Sequence, residues 1–349
     1  MPLQISMVTL VLMLVDKCNL QCVHCFKSNR SMAETPLPAI EKALSGLKNL
    51  FGNLHVSISG GEPTLHSRFE EVLALLHARS QIYHLVTNGL NFSERTLPLL
   101  LRYRSTLDCV VCSLDGGSAE SHDRIRGQGS FDRVMEALRL CRQHGLGTRI
   151  CCTLTKANLD QVDAIRRLAR GQQITHGVFL WPAIPTKRLA EQHLLLTPSD
   201  KAYLTRRAEQ LACDGVCLIG DSRRMDERYD ICEALTLRQI TLDADGNLSL
   251  CCNLTHYADE SDRQDILGSV LEEDIHTLVA RHMDVAAAYR KAVIRDIKDM
   301  GSDPHAYACT HCARYHGKLD WLKDRQPLRQ ERHTESACQQ VGTETVLTG

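Results

Sequence analysis

Asp16-Lys17-Cys18-Asn19-Leu20-Gln21-Cys22-Val23-His24-Cys25-Phe26 carries three cysteines in the spacing C-x3-C-x2-C. Directly before it, Val8 to Val15 is a continuous apolar run rich in β-branched residues, the pattern of a buried strand. Three thiolates on one short loop can wrap three corners of a 4Fe-4S cube, since thiolate is the usual ligand of such clusters. With no fourth cysteine nearby, one iron is left open, and an open metal position is where chemistry takes place. The plainer readings are three buried cysteines after a strand, or half of a zinc site.

The composition narrows the setting. A chain of 349 residues with 43% hydrophobic content makes one large domain, or one domain with an appendage. A net charge of −1 exerts no strong pull toward nucleic acid or an anionic membrane, so neither is expected as a partner. Sixteen cysteines in a chain this long, without an export signal, point to metal ligands and reduced thiols rather than a disulfide scaffold. The Val8–Val15 run has neither a basic segment before it nor a small-residue cleavage site after it. No run reaches the roughly 18 to 20 apolar residues needed to cross a bilayer. A soluble, cytoplasmic protein is expected.

Beyond the cysteine loop, strand and helix patterns alternate. Apolar spacing predicts a helix over Leu37–Leu50, a strand over Leu54–Ser59 ending in Gly60-Gly61-Glu62-Pro63, and a helix over Arg68–Ala78. A strand over Ile82–Val86 ends in Thr87-Asn88-Gly89. A helix near Glu94–Tyr103 then precedes a strand over Leu107–Cys112, which ends in Ser113-Leu114-Asp115-Gly116. Ser130 reads as the N-cap of a helix to His144, followed by a strand near Thr148–Leu154, a helix near Leu159–Ala169 and a strand over Gly177–Trp181. Six such repeats imply parallel strands with right-handed crossovers and a site at the carboxyl ends of the strands. Every motif quoted falls at such an end. Thr197 caps a helix to about Cys213, and Leu237–Leu242 and Leu248–Cys252 flank a Gly-containing hairpin loop. Helical spacing returns from Asp274 to Lys298, and the polar stretch from Asp324 onward reads as a flexible tail.

The cysteine loop resembles that of the radical S-adenosylmethionine (SAM) superfamily, whose motif is C-x3-C-x-Φ-C with Φ aromatic; His24 takes the Φ place. The resemblance implies an α/β fold, a partial (β/α)6 barrel, in which Cys18, Cys22 and Cys25 hold a 4Fe-4S cluster that binds SAM. Gly60, Gly61, Glu62 and Pro63 match the family's GGEP motif, whose backbone meets the SAM amino group. Asn88 falls in its TNG motif. Ser113-Leu114-Asp115-Gly116 with His122-Asp123-Arg124-Ile125-Arg126-Gly127 resembles the SLDG…HDxxRG segment of a branch rich in peptide modifiers and sulfatase maturases. By that likeness Ser113 and Arg126 contact the polar parts of SAM, Arg126 pairing with its carboxylate. His24 and the Leu180-Trp181 strand end lie near the adenine.

A second group comprises Cys232, Cys251 (in G-x4-C with Gly246) and Cys309-Thr310-His311-Cys312. It resembles the auxiliary-cluster extensions called SPASM and Twitch. Lys318 and Leu322 stand where the full SPASM pattern has two more cysteines, so one auxiliary 4Fe-4S cluster is expected; zinc is the rival metal for the four cysteines. Cys252 stands where the sulfatase maturases carry an aspartate proposed as base. It is a candidate catalytic hydrogen-atom donor, a spare ligand or a small buried hydrophobe. Cys109, Cys112, Cys141, Cys151 and Cys152 read as core packing. The implied division is 1–221 for the SAM core, 222–323 for the auxiliary unit and 324–349 for the tail. The implied reaction is reductive cleavage of SAM to a 5′-deoxyadenosyl radical, hydrogen abstraction from substrate, and an oxidation completed through the auxiliary cluster. A flavodoxin or ferredoxin would donate electrons, and the substrate is a small molecule or a peptide. Radical cross-linking or epimerisation of a ribosomally made peptide is the alternative, although few residues precede the first strand and no leader-binding domain is expected there. A non-catalytic iron–sulfur sensor is the reading from another class.

Overall fold

The computed structural model describes residues 7–27, 31–220, 232–255, 257, 265–296 and 307–322. Its centre is β1 (Val8–Val15), as its unbroken apolar composition requires. Around it run α1 (Leu37–Phe51), β2 (Leu54–Gly60), α2 (Phe69–Ala78), β3 (Tyr83–Thr87), α3 (Leu97–Arg102), β4 (Leu107–Ser113), α4 (Ala119–Arg126), α5 (Ser130–Gln143), β5 (Thr148–Leu154), α6 (Val162–Gly171) and β6 (Val178–Pro182). Then follow α7 (Lys187–Glu191), α8 (Pro198–Gln210), β7 (Val216–Leu218), β8 (Gln239–Leu242), β9 (Asn247–Ser249), β10 (Ile266–Ser269), α9 (Ile275–Asp296) and α10 (Ala308–Tyr315).

Among the described residues ten strands join one open sheet in the order β10-β9-β8-β1-β2-β3-β4-β5-β6-β7. β1 to β7 are mutually parallel, as the six repeats predict, with β7 adding a seventh strand that the sequence pattern did not signal. On the other side β8 runs parallel to β1, Thr9 facing Gln239 and Leu12 facing Leu242. β8 and β9 form the expected antiparallel hairpin, and β10 extends it. The hairpin beyond residue 222 therefore continues the same sheet as the strands before it.

The core follows from the two periodicities. Leu10, Leu12 and Leu14 of β1 and Val56 and Ile58 of β2 are fully buried, packed in one cluster with Ile40, Ala43, Leu44 and Leu47 of α1. Burying such a side chain contributes about 1.5–3 kcal/mol, so this one layer outweighs any single polar interaction near it. α1 stops where Gly52, at φ 78°, turns its N–H back to the Lys48 carbonyl. A second cluster gathers Leu235, Leu250, Leu254, Tyr257, Tyr289, Val293, Ala313 and Leu319 from the C-terminal third. The Phe26 ring, at the end of the cysteine loop, stacks on Tyr257 at 6.1 Å and links the two halves.

Some local expectations changed. Ser130 is the first residue of α5 rather than its cap; Gly129 holds the N-cap place with φ 77°. The orphan N–H groups of Gly129 and Phe131 donate instead to the Asp123 carboxylate at 2.7 and 2.8 Å, which suits a helix N-terminus. α4 was missed because its sequence is almost wholly polar; Ser118 and Ser121 start it with a reciprocal capping box. Thr197 does cap α8, paired with Asp200. The Asp324 tail and the end of the Asp274–Lys298 helix lie outside the described residues.

Candidate active site

The carboxyl ends of β1 to β4 converge on one cavity that is open to solvent. Cys18, Cys22, His24 and Cys25 line it from the loop after β1, and Gly60, Gly61, Glu62 and Pro63 from the turn after β2. Asn88 follows β3, Ser113 ends β4 and Arg126 ends α4, and all three line the same space. Leu180 on β6 is fully buried in the apolar core and does not line the cavity.

The Gly60-Gly61 turn is stitched to the cysteine loop through backbone. Gly61 N–H donates to the Val15 carbonyl at 2.8 Å and Glu62 N–H to the Lys17 carbonyl at 3.0 Å. A Cβ on Gly61 would fall 2.1 Å from the Lys17 carbonyl oxygen, and Gly60 sits at φ 132°. Only glycine meets both demands. The Glu62 carboxylate is buried and accepts from Thr64 Oγ1, Thr87 Oγ1 and Asn88 N–H at 2.7, 2.9 and 2.8 Å, tying the second turn to the third. Burial pushes its carboxyl up, and those three donors partly oppose it. Asn88 Nδ2 donates to Asn19 Oδ1 at 2.8 Å and lies 3.9 Å from Cys18 Sγ. Beneath the loop, Lys27 and Asp16 form a buried ion pair at 2.7 Å.

The residue that organises the fourth turn is Asp115, which the sequence reading quoted in its motif without giving it a part. Its fully buried carboxylate pairs with Arg126 Nε, with His24 Nε2 at 2.8 Å and with the Thr153 N–H at 2.8 Å. Burial pushes Asp115 up, but the charge of Arg126 and then His24 outweigh it and hold the carboxyl well below the usual range. Arg126 Nη1 lies 3.9 Å from Cys22 Sγ. Burial raises the Cys22 thiol to about 11 with Arg126 opposing, so a cluster taking Cys22 as thiolate must displace its proton. Three convergent thiols, one beside a fixed guanidinium, fit an anionic iron–sulfur group, and the glycine turn leaves backbone exposed beside them.

The C-terminal cysteines also gather. Cys251, Cys309 and Cys312 pack against the second apolar cluster. Burial raises the Cys232 and Cys312 thiols, and the neighbouring Cys251 raises both further. Cys252 receives a hydrogen bond from Cys251, which lowers its thiol against the opposing effect of burial, and Gln239 Nε2 donates to it at 3.6 Å. No disulfide links the described cysteines.

A parallel α/β half-barrel with three loop cysteines over a strand-end cavity defines the class. Residues 12–169 match the family model described as Radical SAM superfamily, and over those residues the chain is a radical SAM domain, whose family binds a 4Fe-4S cluster and SAM. The chain is 34% identical over 155 residues to "Mycofactocin maturase MftC" of Mycolicibacterium smegmatis, covering 44% of this chain and 39% of that one. It is 30% identical over 200 residues to "Antilisterial bacteriocin subtilosin biosynthesis protein AlbA" of Bacillus subtilis, covering 52% and 42%. The chain thus spans about two fifths of the length of these curated relatives. In fold it is similar to Streptococcus suis SuiB bound to the precursor peptide SuiA, with TM-score 0.65 at 18% identity over 82% of this chain and 66% of that one. It is likewise similar to anSMEcpe with bound AdoMet, with TM-score 0.61 at 18% identity over 80% and 82%.

Proposed function

We propose that this chain is a radical SAM maturase that modifies a peptide. The supporting observation is the convergence of Cys18, Cys22, Cys25, Gly60, Gly61, Asn88, Ser113 and Arg126 on one strand-end cavity. In this reading the three thiolates hold the cluster, which when bound supplies the electron that cleaves SAM to a 5′-deoxyadenosyl radical. The Gly60-Gly61-Glu62-Pro63 turn offers backbone to the amino group of SAM, and Arg126, anchored by Asp115, presents fixed positive charge to its carboxylate. His24 is held by Asp115 beside the adenine place. A peptide substrate is favoured over a small molecule by the relatives, two of which carry maturation or bacteriocin biosynthesis in their names.

Cys232, Cys251, Cys309 and Cys312 would hold one auxiliary cluster, dividing the chain into a SAM core over 1–221 and an auxiliary unit over 222–323. Zinc would draw four Sγ atoms to roughly 3.8 Å apart. A fully ligated cluster offers an electron path, so the net reaction is an oxidation such as a cross-link, with Cys252 a candidate donor beside it. A flavodoxin or ferredoxin would supply the first electron. Among the described residues no helix is long and apolar enough to cross a membrane, and the reduced thiols fit a cytoplasmic setting. Anaerobically reconstituted, reduced protein is expected to release 5′-deoxyadenosine from SAM, and the triple Cys18, Cys22, Cys25→Ala variant to release none. Undiminished release by that variant would reject the assignment.

A further inference from the structure

At the opposite, amino-terminal end of the sheet lies a second polar cluster that the SAM chemistry does not use. His55 is the second residue of β2, His84 of β3 and Asp108 of β4, and His176 stands two residues before β6. Gly60 lies five positions along β2 from His55, or roughly 16 Å. We propose that His55, His84 and Asp108, with His176 as fourth ligand, bind a divalent first-row transition ion of the zinc type.

The geometry suits such an ion. One ligand atom from each of His55, His84 and Asp108 lies within 4.8 Å of the others, and the same holds for Asp108, Cys109 and His176. His55 Nε2 is hydrogen-bonded to His84 Nδ1 at 2.8 Å, a bond that an ion would replace, and His176 Nε2 is 3.6 Å from Asp108 Oδ1. Nitrogen and oxygen ligands around a four-coordinate zinc sit roughly 3.3 Å apart, a value inside that spread. Imidazoles with one carboxylate are donors suited to zinc, iron(II), cobalt(II) or nickel(II) rather than magnesium or calcium.

The surroundings are those of ligands held for an ion. Thr175 Oγ1 is hydrogen-bonded to His176 Nδ1 at 2.7 Å, which leaves Nε2 turned toward Asp108. Gly147 leaves room for that ring, since a Cβ there would fall 2.7 Å from His176 Cε1. The buried Cys109 thiol lies beside the Asp108 carboxylate, within 4.8 Å of it. Burial lowers His55 and takes His84 down to about 3, with their mutual repulsion and Arg149 adding to the effect on His84. Arg149 flanks the cluster, its guanidinium 4.5 Å above the Phe179 ring and its Nε donating to the His176 carbonyl. Asp108 is 35% exposed, so an ion can enter from solvent. A bound ion would clamp the starts of four strands while the radical site occupies the other end.

The test uses the full chain with both cysteine sites loaded with iron and sulfide, so that thiols do not compete. Zinc retained after competition with a chromophoric chelator is measured for wild type, Asp108→Asn and His84→Gln, together with melting temperature with and without zinc. Wild type is expected to retain one zinc and to melt higher with it. Each variant should bind at least roughly tenfold more weakly and lose the zinc-dependent shift. Asp108→Asn alters a partly exposed side chain, so it keeps the test valid if His84→Gln folds poorly. Cobalt in place of zinc should give ligand-field bands without thiolate charge transfer. Equal zinc retention by wild type and Asp108→Asn, or a cobalt spectrum dominated by thiolate, would overturn the proposal.

Discussion

A carboxylate with no solvent around it needs a cation, and Asp115 has one in Arg126, with His24 and a backbone N–H completing the shell. The guanidinium expected to serve SAM alone is thus first a partner of the protein. Removing one member of a buried pair costs about 3–5 kcal/mol, because the other is left charged and dry. Asp115→Asn is expected to lower stability by about that amount, read as the shift in urea midpoint at pH 7. The sign of the pH effect follows from the depressed Asp115 carboxyl. Its contribution is complete above the unfolded value, about 3.9, and drains away as pH falls below it. The gap between wild type and Asp115→Asn should therefore narrow below about pH 4. A gap that stays constant into acid would place the stabilisation elsewhere.

At the level of elements, the cysteine loop has little to hold it but its neighbours. Two backbone hydrogen bonds from the Gly61–Glu62 turn fix its first half, and the Phe26–Tyr257 stack fixes its end. Gly61→Ala sets a Cβ against the Lys17 and Asp16 carbonyl oxygens, both rigid backbone, so the loop must move. We expect the variant to retain less than about half the iron of wild type at the first site, since ligand thiols displaced from one another no longer meet one cluster. Iron per chain after reconstitution measures this. Gly171→Ala is the matched control: nothing lies within 4 Å of its Cβ, and it ends α6 with an ordinary φ. It should leave iron unchanged and gain up to about 0.5–1 kcal/mol from helix propensity. Equal iron in the two variants would mean the turn does not position the loop.

Across the whole molecule, one sheet carries both cysteine groups. β8 lies beside β1, so the hairpin that brings Cys251 is bonded to the strand that feeds Cys18. Two clusters on one scaffold require about eight irons per chain, and the Cys18, Cys22, Cys25→Ala variant about four. That variant should keep a reducible iron–sulfur signal by low-temperature EPR. Zinc carries no redox chemistry, so stoichiometric zinc with no iron signal would remove the electron path and leave a redox-neutral reaction.

The sequence by itself determined what is local or periodic. Three cysteines within eight positions, six alternating strand and helix patterns and glycine turns at strand ends all depend on neighbours in the chain, so they were legible without coordinates. The parallel α/β class followed from them, while the resemblance to the radical SAM family supplied the barrel and the site residues Cys18, Gly60, Asn88, Ser113 and Arg126, all of which line the cavity. Tertiary structure alone decided what depends on distant partners. Periodicity predicts that a segment is a strand but not its neighbour, so the pairing of β8 with β1, some 230 residues apart, could not be read. The partner of a buried charge is set by packing, which is why Asp115 took Arg126 and His24, the latter 91 positions away. His55, His84, Asp108 and His176 each look like an ordinary strand-start polar residue in the chain. Parallel register sets all four at one end of the sheet, and only that register makes them neighbours.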